Sequence, residues 1–267
     1  MQSPDLSVEH INIALRGSTA RIGREVVFLE SVDSTNTFAA RLAGEGGAEG
    51  TVVLADAQTG GKGRFGRTWL SPPGRNLYMS IIVRPVMLPG EAAVLTLMSA
   101  VACVSAIKKL TTVPVSIKWP NDILVSGRKL GGILTEIRAD MDKIFHAVIG
   151  IGINVNLTTD DMPDDLKLIA TSIKQETGTS FPRTLLAVGV LKEMDRWYGM
   201  FLEKGKKPVL LRWKELTSTI GQTVQVRSGA ETITGIAEGI DDDGMLLIRL
   251  PGGPVKRVSS GEVAYMP

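Results

Sequence analysis

The sequence predicts an α+β fold: a mixed sheet flanked by helices, followed by a small all-β, barrel-like module. Three observations carry this expectation. Short apolar strand-like runs surround one strong helix, Glu91 to Leu110, whose apolar residues lie nearly all round, so it should pack deep against a sheet. After it, short strands flank tight polar turns, the mark of a mainly antiparallel second half. From Thr219 the pattern changes to short strands separated by Gly, Asp and Pro turns.

Residues 1–25 read as a short polar lead of one or two helical turns. Val26–Val32 is a strand. Asp33, Ser34 and Thr35 supply N-cap chemistry for a helix that stops at Gly44. Thr51–Ala57 is a second apolar strand, and it runs directly into a glycine-rich loop. Pro72 and Pro73 then prevent a helix, and the run from Asn76 to Pro85 gives another strand. Val115–Trp119, Asp122–Val125, Lys129–Ile137 and Ile144–Val155 are strands, with turns at Ser126–Arg128 and Ala139–Asp142. Thr159–Asp165 is an acidic loop; Thr184–Leu202 and Val209–Leu216 are helical. The expected division is a lead of residues 1–25, a main domain of residues 26–217 and a β module of residues 218–267.

Composition narrows the class. Hydrophobic content of 43% with 22% charged residues suits a soluble globular protein. A net charge of +2 is too small to argue for bulk nucleic-acid binding. The single cysteine, Cys103, excludes an intramolecular disulfide and reads as an inert core thiol, which fits a reducing cytoplasm. The N-terminus lacks the basic-then-apolar pattern of a secretory signal. The longest apolar run, near Ala92–Ile107, is broken by Thr96, Ser99 and Ser105 and falls short of the roughly 20 residues of a bilayer span, so no membrane partner is expected. With only His10 and His146, zinc sites and histidine-based triads have little to work with.

Function must lie in the motifs. Gln58–Trp69 (QTGGKGRFGRTW) carries Lys62, Arg64 and Arg67, and no acidic residue occurs between Asp56 and Glu91. Glycines allow close backbone approach, and the cations supply charge-assisted hydrogen bonds, so the loop should hold an anion. A merely solvated basic loop is the competing reading. Gly61–Gly66 matches G-x-G-x-x-G after a strand, but the helix that would hold a pyrophosphate is replaced by Pro72 and Pro73. In Ile117–Leu134, Lys118, Asp122 and Lys129 stand among apolar strand residues, where unpaired charge is costly. Asn121 and Asp122 could serve plain turn chemistry; metal binding by Asp122 or a functional lysine at 129 is the alternative. Gly131 and Gly132, and the glycines of Gly150–Asn156 (GIGINVN), mark close approach by a ligand or another backbone. Asn154 could meet a purine edge or cap its strand, and Ser34–Asn36 reads first as a helix cap.

Taken together, DSTN at 33–36, QTGGKGRFGRTW at 58–69, KWPNDILVSGRKLGGIL at 118–134 and GIGINVN at 150–156 resemble the biotin protein ligases. The likeness covers nearly the whole chain from about Val26. It implies a class II synthetase-like catalytic domain of the biotin–lipoate ligase type and an SH3-like C-terminal barrel. It also implies chemistry: biotin and ATP give biotinyl-5′-AMP, and the biotinyl group passes to a lysine of the carboxyl carrier protein of acetyl-CoA carboxylase or a related carboxylase. By matching positions, Ser34, Thr35, Asn36, Gln58, Lys62, Gly63, Arg64, Lys129 and Gly132 would meet biotin. Arg67, Trp69, Lys118, Asn121 and Asn154 would meet ATP. Lys129, Arg64 and Asp122 would be the catalytic set, with Asp122 a partner of Mg²⁺ or of the acceptor lysine. Trp69 has an alternative role, packing the base of the loop.

Two departures stand out. Lys62 replaces the first arginine of the commoner G-R-G-R-x-G-R loop, keeping the charge but losing the planar fork. The 25 or so residues of the N-terminal lead are too few for the winged helix-turn-helix of family members that also repress transcription. The expectation is therefore a monofunctional ligase without operator DNA, for which a homodimer is compatible. A lipoate or octanoate ligase or transferase is the enzymatic alternative, and the polar set at 34–36 and 58 argues against its apolar slot. A nucleic-acid-binding module is the other, disfavoured by an aromatic content of 5%.

Overall fold

The computed structural model describes residues 5–229 and 231–266. Seven strands form a mixed sheet: β1 (Val26–Val32), β2 (Val52–Gln58), β3 (Leu77–Val83), β4 (Val115–Lys118), β5 (Asp122–Val125), β6 (Arg128–Ala139) and β7 (Ile144–Ile153). Their spatial order is β1-β2-β3-β7-β6-β5-β4, with β1 and β2 parallel and the remaining neighbours antiparallel. Parallel pairing requires a crossover; helix α2 (Thr35–Gly44) supplies it between β1 and β2. Strands β4 to β7 follow one another as hairpins, as their turn residues predict.

Helix α3 (Ala93–Leu110) lies against this sheet, and from Val94 to Ile107 all but Thr96 are buried. Pro89–Leu110 is in fact long and apolar enough to cross a membrane by length and composition, contrary to the sequence expectation. Its apolar surface is used otherwise, against the sheet and two later helices. These, α6 (Arg183–Lys204) and α7 (Lys207–Leu216), bury Trp197, Tyr198 and Trp213 against the same core. Burial pushes the Cys103 thiol up to about 12, so it is an inert core group. Two short helices between β7 and α6, α4 (Asp164–Lys167) and α5 (Ile173–Thr177), escape sequence reading because four or five residues carry no period.

The N-terminal lead is not merely polar. Leu6, Ile11, Leu15 and Ile22 are buried in the main core, and α1 (Val8–Leu15) packs on α6. Residues 1–4 of that lead lie outside the described residues. Asp195 of α6 accepts three successive backbone N–H bonds, from Ala20, Arg21 and Ile22, at 2.7–2.9 Å. At the start of α6, fully buried Arg183 donates to Asp5 (2.9 Å), to Asp56 at the end of β2 (2.8 Å) and to the Asn76 carbonyl (3.2 Å). A buried guanidinium is tolerable only when so paired. It ties the lead, β2 and the start of β3 together beneath the glycine loop.

The second sheet contains β8 (Thr223–Ser228), β9 (Glu231–Ile240), β10 (Leu246–Arg249), β11 (Val255–Val258) and β12 (Glu262–Tyr265), all antiparallel in the order β11-β10-β9-β8-β12. Alternating Val224, Val226, Ile233, Ala237, Leu246 and Ile248 form its interior. Ala230 and Pro267 lie outside the described residues. Trp119, just after β4, joins the two sheets: its backbone N–H donates to Thr219 Oγ1 (2.9 Å) and its indole N–H to the Gly244 carbonyl (3.1 Å).

Arg183→Met should cost about 3 kcal/mol, because Asp5 and Asp56 lose their shared cation. The exposed pair Arg212–Glu215 offers a contrast, and Arg212→Ala should stay within about 0.5 kcal/mol. Urea unfolding of the two variants checks both values.

Candidate active site

A cavity of about 440 Å³ opens over the middle of the seven-stranded sheet. Its floor is made by β6 and β7, where side chains are missing at Gly132, Gly150 and Gly152. The space is spoken for. A Cβ on Gly150 would lie 2.2 Å from Asn36 Oδ1, and one on Gly152 would lie 2.6 Å from the Trp69 ring. A Cβ on Gly132 would lie 3.3 Å from Lys129 Cε and would touch the Trp69 ring at an ordinary 3.5 Å. The glycines expected to admit a close neighbour thus admit Asn36 and Trp69. Trp69 sits at the base of the loop, its indole N–H buried with no hydrogen-bond partner among the described residues.

One wall carries neutral hydrogen-bonding groups. Ser34 is the N-cap residue of α2, yet its side chain makes no capping bond. The Thr35 N–H donates to Gln58 Oε1 (2.8 Å), and Gln58 Nε2 donates to Ser71 Oγ (2.9 Å). Ser80 of β3 lies 2.8 Å from Thr35 Oγ1 and 2.6 Å from Asn36 Oδ1. The Asn36 amide N–H₂ is held by the Leu134 carbonyl and the Glu136 carboxylate. Ser34, Thr35 and Asn36 are all buried.

The other wall is charged. Lys129 Nζ lies 2.6 Å from Asp122 Oδ1 and 5.4 Å from the Trp69 ring centre. The register explains the pairing, since Asp122 on β5 faces Gly132 on β6 and leaves room for the Lys129 side chain. Lys118 lies over the Tyr265 ring. Burial holds the Lys118 ammonium below its usual lysine range, against the opposing pull of Asp122. Asn154 also lines the cavity, but its amide already bridges Asn76 (3.2 Å) and the Thr171 carbonyl (3.0 Å).

The glycine loop closes on itself: Lys62 pairs with Thr68, Gly63 N–H donates to the Arg67 carbonyl and Trp69 N–H to the Gly61 carbonyl. Its tip turns through Phe65 (φ 57°) and Gly66 (φ 74°), so the second of these needs no Cβ. Two of the three cations, Arg64 and Arg67, are unopposed only in sequence. Arg64 donates to Asn121 Oδ1 (2.9 Å), Ser260 Oγ (2.9 Å) and the Gly261 carbonyl (3.3 Å). Desolvation lowers its pKa, while Asp122 and Glu262 raise it. Arg67 pairs with Glu262, and Lys62 remains exposed at the cavity.

The second sheet lines the cavity through Gln225 and Arg227 of β8 and through Gly261–Ala264 at β12, residues that sequence reading did not single out. The basic residues of β11, Lys256 and Arg257, are taken up in ion pairs with Glu231, Asp241 and Asp243. Sequence reading also missed Ser80, Glu136 and Asn76. A serine inside the wholly buried run of β3 was the one available signal. An apolar flap, Leu157, Met162, Leu166, Ile169 and Ala170, covers the far side. Arg75–Asp161 and Arg128–Glu176 ion pairs hold the chain on either side of it.

This fold and site define a class. Residues 28–154 match the model of the Biotin/lipoate A/B protein ligase family, and residues 219–265 match that of the biotin protein ligase C-terminal domain. The chain is 38% identical over 258 residues to the bifunctional ligase/repressor BirA of Bacillus subtilis, covering 97% of this chain and 78% of that one. It is 32% identical over 255 residues to the biotin–acetyl-CoA-carboxylase ligase of Mycobacterium tuberculosis, covering 91% and 90%. The Aquifex aeolicus biotin protein ligase in complex with biotin and ATP superposes with a TM-score of 0.76 at 32% identity, covering 91% of this chain and 99% of that one. The chain belongs to the biotin protein ligase family.

Gly150→Ala places its methyl against the Asn36 amide and should cost about 1–3 kcal/mol by overpacking. Biotin affinity should fall with it, because the neutral wall is displaced. Calorimetric titration with biotin, alongside urea unfolding, measures the two effects.

Proposed function

We propose that this cavity joins biotin to ATP, releasing pyrophosphate, and holds the biotinyl-5′-AMP until a lysine of a carboxyl carrier protein takes the biotinyl group. One observation carries the reading: a neutral hydrogen-bonding wall and a cationic wall face the same cavity, whose volume suits a small molecule. Such a cavity matches a ligand with a ureido ring at one end and a carboxylate at the other. The polar wall at Ser34, Thr35, Asn36 and Gln58 favours that ring over the aliphatic chain of a lipoate or octanoate substrate.

In the first step a biotin carboxylate oxygen attacks the α-phosphorus, and the bond to the pyrophosphate oxygen breaks. Negative charge grows on the phosphate oxygens, where preorganised cations are worth most. Lys129 is assigned to the carboxylate and α-phosphate, Arg64 to the phosphate, and Arg67 and Lys118 to the polyphosphate side. Lys62 and Gly63 would close over the ligand, and Gly132 leaves room for it. Trp69 and Asn154 would border the nucleotide, as packing as much as contact. In the second step the acceptor amine attacks the carbonyl carbon, AMP leaves and the amine loses a proton. Asp122 already binds one ammonium, that of Lys129, which supports a role in receiving the acceptor lysine.

Among the described residues no group of three metal-ligating side chains comes together, so a protein-caged metal does not fit. Magnesium arriving with the triphosphate needs only one or two carboxylates, and Asp122 could supply one. We take residues 26–217 as the catalytic domain and residues 218–267 as an SH3-like domain that completes it. We take the activity to be that of a ligase without operator DNA; the apolar face of α1 is used against α6. A reducing cytoplasm agrees with the buried Cys103 thiol. A homodimer is compatible with the reading.

Biotin-dependent exchange of label between ATP and pyrophosphate, followed by transfer to a carrier domain, tests the assignment. No exchange, with tight nucleic-acid binding in a gel shift, would favour the binding-module reading instead. Lys129→Ala should slow adenylate formation by about 10²–10³ in single-turnover measurements. A wild-type rate would remove Lys129 from the reacting centre.

A further inference from the structure

We propose that Glu176, acting through Thr171, holds the end of the apolar flap against the backbone of Lys129, so that the flap sets where the Lys129 ammonium stands. The inference rests on the assignment of Lys129 to the biotin carboxylate and α-phosphate, and it adds two residues from outside β6. Neither Glu176 nor Thr171 lines the cavity; they are positioning residues that act through Lys129.

Lys129 needs such support because β6 is irregular there. Ile123 pairs with Gly131 but Leu124 pairs with Lys129, so Leu130 is an extra residue on β6. A bulge of this kind bends its strand and re-aims the side chains beside it. On the other edge of β6, pairing with β7 begins only at Gly131, opposite Ile153. At Lys129 the flap takes the place of β7. The Lys129 N–H donates to the Ile169 carbonyl (2.7 Å), and the Lys129 carbonyl accepts from the Thr171 N–H (2.9 Å). These two bonds make a parallel bridge between Lys129 and Ala170. Backbone groups turned away from water need partners, so Lys129 and the flap end keep or lose their places together.

Thr171 is what keeps the flap end in place. It is wholly buried, and each of its polar groups has a partner. Its N–H is taken by Lys129, its carbonyl accepts from the Asn154 amide (3.0 Å), and its hydroxyl donates to Glu176 Oε1. The same carboxylate oxygen accepts from Arg128 (2.7 Å), the residue just before Lys129. Arg128, Glu176 and Thr171 thus form a clasp from β6 to α5 and back to the flap. The clasp closes a ring on Lys129, which is joined to Arg128 through the chain and to Thr171 through the bridge. The Glu176 side chain is only 15% exposed, so its charge-assisted bonds are stronger than those of a surface pair.

The test is single-turnover formation of labelled adenylate by the full-length protein at saturating biotin and ATP. Glu176→Ala opens the clasp and should slow the step about tenfold, since a small misplacement of a reacting group is costly. Glu176→Gln keeps an acceptor oxygen in the same place and should stay within about threefold of wild type. Arg128→Met opens the clasp from its more exposed end, with a loss of about threefold, and serves if Glu176→Ala fails to fold. The deciding measurement repeats either substitution in a Lys129→Ala background. A residue that acts through Lys129 then has nothing left to misplace, so no further loss should follow.

Equal losses in the two backgrounds overturn the proposal and make the clasp a structural feature alone. A wild-type rate in the variants overturns it as well, whether or not the KM for ATP rises, because the flap then covers the nucleotide without placing Lys129. If the wild type itself forms no adenylate, the proposed function fails first, and the clasp with it.

Discussion

The site depends on charge pairing between parts of the chain that are far apart in sequence. The stretch from Asp56 to Glu91 holds five basic residues and no acid between its ends. Left alone, such a loop repels itself and stays solvated. Folding supplies its partners from elsewhere: Glu262 for Arg67, Asp161 for Arg75, and Asn121 with the Ser260–Gly261 turn for Arg64. Below, Asp5 and Asp56 share Arg183. Each pair crosses between segments that local propensity places independently. The cationic wall therefore reports that the two sheets, the flap and the N-terminal lead are all in position.

The cations around the cavity are held, but not equally. Arg64 is desolvated and bonded on several sides, which suits a group that must be in place before charge develops. Lys129 is paired to one carboxylate and partly open, so the pair can rearrange when an anionic ligand arrives. The neutral wall behaves differently, since its hydrogen bonds are nearly all internal.

Much of this was legible in the sequence. The long apolar stretch at α3, the hairpins from β4 to β7 and the five-stranded sheet follow from period and turn chemistry, because burial on one face imposes that period. The glycine loop and the KWPND segment pointed to the cavity because charge and glycine sit badly in strands unless something requires them. Other features were hidden for physical reasons. Leu6 and Ile11 look unremarkable in a short lead, and only tertiary packing makes them core. Glu262 is nearly two hundred residues from Arg67 and carries no local mark. Ser80 and Glu136 reach the site through hydrogen bonds to Asn36 and Thr35, contacts between strands and helix that a string of residue types does not record.

The glycine floor has a consequence for how this chain can change over generations. Gly150 and Asn36, and likewise Gly152 and Trp69, occupy one volume between them. A mutation that enlarges either glycine is tolerated only after its counterpart has shrunk, and the reverse order passes through a crowded intermediate. Each pair should therefore be inherited as a unit. Divergence toward other carboxylic acids would have to begin at position 36 or 69, with the sheet following.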